Sequence, residues 1–230
     1  MEHPTSDFSA HRRIKSKERV SAYGEVFTAD REVNAMLDLV KEETERIDSR
    51  FLEPACGNGN FLARILQRKL AVVQRRYVAV RADYELYAFL TVSSLYGIEL
   101  LQDNVDECRT RLFHILRDAY LAHFPQADNK DDYLQSIRYV FHRNILWGDA
   151  LTLRTSDGRE AITFSEWTAV NGSGLIKRRD FELDMLLRNQ PMQGPNLFSD
   201  LGDEAFIPTP KAEYPLTHYL KIYTQDAAQL

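Results

Sequence analysis

The chain has 230 residues, 44% of them hydrophobic and 11% aromatic, and a formal net charge of −5. Such a chain can bury one good core, which excludes a mainly disordered protein. The negative balance argues against stand-alone binding to duplex nucleic acid, because that affinity rests on Lys and Arg neutralising phosphates.

Residues 1–20 read as a basic, flexible arm, carried by His11-Arg12-Arg13-Ile14-Lys15-Ser16-Lys17-Glu18-Arg19. Gly24-Glu25-Val26-Phe27-Thr28-Ala29 comes next, and Thr28 has the side chain to cap a helix starting at Ala29. Apolar residues at 33, 36, 37, 40 and 47 predict an amphipathic helix. Phe51-Leu52 is a short strand that runs into Glu53-Pro54-Ala55-Cys56-Gly57-Asn58-Gly59-Asn60, and a helix is predicted from Phe61 to Arg76. Gly57 and Gly59 let the main chain take angles closed to other residues and approach a ligand closely. The helix behind them points its free N–H groups at whatever occupies the gap, which suits a small anionic or zwitterionic cofactor. A third glycine three residues after Gly59 would complete a dinucleotide fingerprint, but that position is Leu62. Glu53 at the strand end repels a pyrophosphate and attracts an ammonium group.

An additional helix is expected near Asp83 to Leu95, because the chain between the glycine turn and Glu99 is too long for one crossover helix. Tyr96-Gly97-Ile98-Glu99-Leu100 then reads as a second strand ending in a carboxylate, whose two oxygens can accept from two adjacent hydroxyls. Asp103 is the expected cap of a helix with Val105, Cys108, Leu112, Ile115, Leu116 and Ala119 at core spacing, ending before Pro125. A charged turn and a short helix lead to a third strand, Asn144-Ile145-Leu146-Trp147-Gly148-Asp149-Ala150. Beyond it the texture changes. A turn at Thr155-Ser156-Asp157-Gly158-Arg159 predicts a hairpin of residues 151–153 with residues 161–170, and Asn171-Gly172-Ser173-Gly174 predicts another turn. Residues 190–214 carry several prolines in a mostly irregular stretch, and 214–223 are aromatic-rich, as in an edge strand, a docking segment or a packed tail.

Four of these segments, in this order, resemble the class I S-adenosylmethionine-dependent methyltransferases, and in particular the N6-adenine DNA methyltransferases of restriction-modification systems. The resemblance covers residues 22–151. It implies an α/β, Rossmann-like core with an incomplete or modified sheet in the last third, and S-adenosyl-L-methionine as cofactor. Phe27 and Thr28 would close over the methionine end, although this chain has Ala29 where the family usually has proline. Glu53, Pro54, Ala55, Cys56, Gly57, Gly59, Asn60 and Phe61 would form the cofactor turn, with Glu53 near the amino group. Glu99 would take the ribose hydroxyls. Asp149 would accept from the adenine amine between the apolar walls Leu100 and Ala150.

The family's catalytic tetrapeptide, a polar residue followed by Pro-Pro and an aromatic, is missing: no Pro-Pro pair occurs in the sequence. That element accepts hydrogens of the target amine and stacks on a base flipped out of the duplex. Asn189-Gln190-Pro191-Met192 and Ser165-Glu166-Trp167 are the nearest substitutes, the second of which reads first as a half-buried strand with Trp167 on the core, so no catalytic residue is assigned. Residues 152–230 are also too few for the remaining strands together with a recognition domain. The resemblance implies first an adenine-N6 DNA methyltransferase; the alternatives are a catalytically deficient cofactor-binding subunit that works with a partner protein supplying target recognition in a restriction-modification or defence complex, and a methyltransferase with another acceptor. DNA contact, if made, is expected at residues 11–19 or at Lys177-Arg178-Arg179, either of which also reads as solvated surface. Cys56 and Cys108 form no disulfide or zinc pattern, the six histidines lack metal-ligand spacing, and neither a signal peptide nor an apolar run of membrane length occurs. A reduced, soluble protein of the cytoplasm, without metal or membrane partner, is expected.

Overall fold

The computed structural model describes residues 28–170, 172–188 and 209–226. The expected arm, Phe27 and the Asn189-Gln190-Pro191-Met192 turn lie outside the described residues. The protein is mixed α/β, with two four-stranded sheets and helices packed against them.

The first sheet has the order β1 (Phe51–Glu53), β2 (Leu95–Glu99), β3 (Ile145–Asp149) and β4 (Arg154–Thr155). Strands β1 to β3 are parallel, with Leu52 beside Tyr96 and Ile98 beside Leu146, and the short β4 runs antiparallel to β3. Two helices fill each crossover. α3 (Asn60–Tyr77) and α4 (Arg81–Ser93) join β1 to β2, whereas α5 (Gln102–His123) and α6 (Lys130–Asn144) join β2 to β3. Ahead of them stand α1 (Asp30–Asp38) and the single turn α2 (Lys41–Thr44).

One face of this sheet belongs to the main core, where Leu95 and Ile145 pack with Leu62, Leu66, Phe89, Leu112 and Ile137 from the helices. Because strand side chains alternate, Tyr96 and Ile98 point to the opposite face. There they meet Ile162, Phe164 and Leu183 in a smaller cluster. That cover comes from the second sheet, built on the hairpin of β5 (Thr163–Val170) and β6 (Leu175–Glu182), with β7 (Ala212–Glu213) and β8 (Thr217–His218) added along β6. The helix α7 (Leu183–Arg188) continues from β6, and a 3-10 turn at Tyr219–Thr224 follows β8. Gly172 and Gly174 take positive φ at the β5–β6 turn, which permits the tight connection.

Several boundaries differ from expectation for local reasons. The glycine-turn helix begins at Asn60, and α1 begins at Asp30 behind Ala29, not Thr28. Alanine has no side-chain acceptor, so the cap is made in reverse: Glu32 accepts from the Ala29 N–H at 2.9 Å. Leu101, not Asp103, precedes α5, and Asp103 sits in that helix's first turn, where a carboxylate suits the helix dipole. Met36 and Val40 stay exposed while Val33 and Leu37 are buried, because α1 stops at Asp38. The turn at residues 155–159 forms, but its ladder is brief, with Thr155 N–H on Glu160 and Ile162 N–H on Leu153. Residues 163–170 pair instead with 175–182. No fourth parallel strand follows β3 among the described residues.

Candidate cofactor site

The three parallel strands end in Glu53, Glu99 and Asp149, each two residues beyond its neighbour in register. In register, Glu53 lies beside Gly97 and Glu99 beside Trp147, so the three carboxylates step along one sheet edge. All three are odd-numbered positions of strands whose neighbours pair in register, and they share the face of the main core.

The glycine turn is held from below. Gly59 closes it with its N–H on the Cys56 carbonyl at 2.8 Å and serves as the N-cap of α3. Its φ of +83° is open to glycine, and a Cβ there would lie 2.6 Å from Cys108 Sγ. Gly57 also has a positive φ of +52°, but a Cβ there would meet nothing within 4 Å. The first glycine thus borders open space and the second is wedged against α5. Glu99 bridges the turn to the second strand: one carboxylate oxygen accepts from Gly57 N–H at 2.9 Å, and the other accepts from Leu101 N–H at 3.0 Å. Asn60, the first residue of α3, donates from its amide to the Thr28 carbonyl at 2.6 Å and accepts from Arg111 at 3.1 Å. Thr28 therefore lies at the turn, although its role as a helix cap is not realised.

The remaining expected residues fall into place less tightly. Glu53 is half-buried, and burial raises its carboxyl above the usual range while the Ala55 N–H works against that shift. Pro54 and Ala55 are exposed and Phe61 packs at the edge of the main core. Cys56 is buried; the neighbouring Cys108 and burial together push its thiol far up, so it is a packing residue and not a nucleophile. Asp149 accepts from Leu151 N–H at 2.8 Å, closing the turn after β3. Ala150 lies against the smaller cluster, and Leu100 is 46% exposed.

One residue was not singled out from the sequence. Trp147, in register with Glu99, exposes 44% of its surface and donates from its indole to the Leu100 carbonyl at 2.9 Å. The signal that could have found it is an indole two residues before the terminal Asp of a strand, where a buried aliphatic would be usual.

The expected substitutes for the missing tetrapeptide are not available as catalysts. Ser165 is fully buried and its hydroxyl donates to Asp180 at 2.7 Å, while the Trp167 indole donates to Asn144 at 3.2 Å. Lys177-Arg178-Arg179 does not form a basic surface either. Lys177 pairs with Glu213, Arg179 with Glu166, and Arg178 is completely buried on Asp180 and Asp226. Among the described residues no cluster of His, Cys, Asp and Glu suits a metal ion, and no helix is long and apolar enough to cross a membrane. Compared with family models, with curated proteins and with solved structures, the chain matches none.

The donor set has a definite chemical preference. Three carboxylates at adjacent strand ends disfavour phosphates and favour a cationic ligand rich in hydroxyl and amine donors. Of the two Glu99 oxygens, Oε2 accepts from Gly57 N–H and keeps an acceptor position for a ligand, whereas Oε1 accepts from both Leu101 N–H and the Asn104 amide, the latter at 3.5 Å.

Proposed function

We propose that this chain binds S-adenosyl-L-methionine at the carboxyl ends of β1, β2 and β3, and that it serves DNA adenine-N6 methylation together with a partner protein that supplies target recognition and the acceptor-side groups. The observation that carries the reading is the row of Glu53, Glu99 and Asp149 beside a glycine turn with free space at Gly57. An ammonium group, a ribose diol and an exocyclic amine are the donors that such a row would accept in turn.

In this reading the strand order, with the glycine-turn strand beside the Glu99 strand and the latter beside the Asp149 strand, supports a Rossmann-like core. Glu53 would hold the amino group, Glu99 the two ribose hydroxyls and Asp149 the adenine amine, with Leu100, Trp147 and Ala150 as apolar walls. The cofactor would bring an electrophilic methyl group on a sulfonium, whose departure needs little assistance. What the chain contributes is then positioning: the turn fixed by Glu99 orients the ligand, and the apolar walls keep water from it. The subunit reading is favoured over a self-sufficient enzyme because no fourth parallel strand occurs among the described residues and Ser165 and Trp167 are engaged in the core.

Isothermal titration with S-adenosylmethionine and S-adenosylhomocysteine tests the reading. Heat is expected from both with the wild-type chain, and its absence would sink the proposal. Radiolabelled methyl transfer to unmethylated genomic DNA then separates enzyme from subunit: transfer by the chain alone would overturn the need for a partner.

A further inference from the structure

β1 ends the first sheet: among the described residues no strand pairs with its outer edge. Phe51 turns its N–H toward β2, donating to the Ser94 carbonyl at 2.9 Å, and Cys56 N–H donates to Ile98. Alternation along the strand directs the N–H and C=O of Leu52 the other way. Beside this edge runs an apolar groove of about 370 Å3, whose walls include Leu52, Tyr96, Phe164, Phe181, Leu186 and Leu187. Leu52 is 43% exposed and so is Leu187. At the groove's rim two guanidinium groups share one carboxylate: Arg50 and Arg179 contact the two oxygens of Glu166 at 2.6 and 2.5 Å. Of the two, Arg50 lines the groove and leaves 60% of its side chain exposed.

We propose that the outer edge of β1 is a docking site for an extended segment of a partner polypeptide, which adds as a strand to the first sheet. Its main chain pairs with Leu52, apolar side chains at alternate positions enter the groove, and an acidic side chain meets Arg50. Each feature answers one on this surface: an unpaired ladder calls for a main chain in strand form, an apolar groove calls for alternate apolar residues, and the exposed Arg50 guanidinium calls for a carboxylate. The site stands on this geometry alone and does not depend on the methyl donor.

The probe is a synthetic peptide, acetyl-Glu-Val-Thr-Val-Thr-Val-Glu-amide, acidic at both ends so that either strand direction is served. It is titrated to millimolar into the full chain, with amide signals followed by NMR. The expected result is saturable binding that moves the Leu52 and Arg50 amide signals and slows exchange of the Leu52 amide. A peptide N-methylated at its valines and threonines should bind at least tenfold more weakly, as should Leu52→Pro, which removes the outward N–H and leaves the bonds of Phe51 to β2 in place. Arg50→Glu should weaken binding severalfold. Equal binding of the methylated peptide would reduce the groove to a greasy surface and overturn strand addition, whether or not Leu52→Pro folds. Failure of the full chain to bind the peptide would equally overturn it, whether residues 189–208 or a second copy covers the edge.

Discussion

At the scale of single residues, the glycine turn is fixed by two different constraints that the same residue type satisfies. Gly59 has both a positive φ and Cys108 Sγ where its Cβ would be. Gly59→Ala should destabilise the chain by about 2–4 kcal/mol in urea denaturation, from backbone strain and overpacking together. Adding Cys108→Ala should return the overpacking share and leave the strain, a non-additivity that a double-mutant cycle reads directly. Glu99 is the other critical residue, because its two oxygens hold Gly57 and Leu101 and on the proposed function also the ligand. Hydrogen bonds to a charged group contribute about 1.5–3 kcal/mol each. Glu99→Ala should therefore abolish the titration heat with S-adenosylmethionine, and Glu99→Gln, which keeps one acceptor, should weaken affinity tenfold or more while leaving a folded chain. Gly57, Gly59 and Glu99 were legible in the sequence because the backbone conformation and the strand-end position restrict residue type locally. Trp147 was not, since an indole in a strand ordinarily means core.

At the scale of elements, two buried cations hold pieces of the fold together without belonging to the proposed cofactor site. Lys69 of α3 is fully buried and donates to the carbonyls of Ile47 and Ser49 and to the Ser94 hydroxyl, which ties the helix to the entry of β1 and the end of α4. Burial lowers its pKa to about 7 in the folded chain. Its unfolded value is near 10.4. Between these values the unfolded chain binds more protons, so stability should rise as pH increases from about 7 toward 10, by at most about 1.4 kcal/mol per pH unit for one proton. Urea midpoints at pH 7 and pH 9 check this, and Lys69→Met should remove that part of the slope. Arg178 of β6 donates to Ser165, Asp180, Asp226 and Tyr139 and lies 3.8 Å over the Tyr214 ring, so it joins the hairpin to α6 and to the final segment. Removing one partner of such a buried pair costs about 3–5 kcal/mol. Arg178→Ala should lower the unfolding free energy by that amount, with the far-ultraviolet spectrum of the helices retained at low temperature. In the sequence, Lys177-Arg178-Arg179 reads as a surface charge run, because strand alternation hides one of three consecutive cations only once the neighbouring sheet is known.

At the scale of the whole molecule, helices cover one face of the parallel sheet and a β-hairpin closes much of the other, and among the described residues no strand pairs with the outer edge of β1. On the proposed function, S-adenosylmethionine at a hundred times its dissociation constant should stabilise the chain by about 2.7 kcal/mol. For a chain of this size that is a rise in melting temperature of about 5–10 °C, which differential scanning fluorimetry would read; no shift in the presence of measured binding heat would mean that the ligand sits on a region outside the cooperative core. The amino-acid sequence by itself determined the order of helices and strands up to residue 151, the conformation of the glycine turn and the positions of the strand-end carboxylates. Each of these follows from hydrophobic period, backbone freedom or charge within a few residues of chain. Only the tertiary structure decided that Ser165 and Arg178 are spent in the core and that the outer edge of β1 is left unpaired among the described residues. Which side chain of a strand is buried depends on the elements packed against it through contacts far apart in sequence, and an open edge is not encoded in any short run of residues.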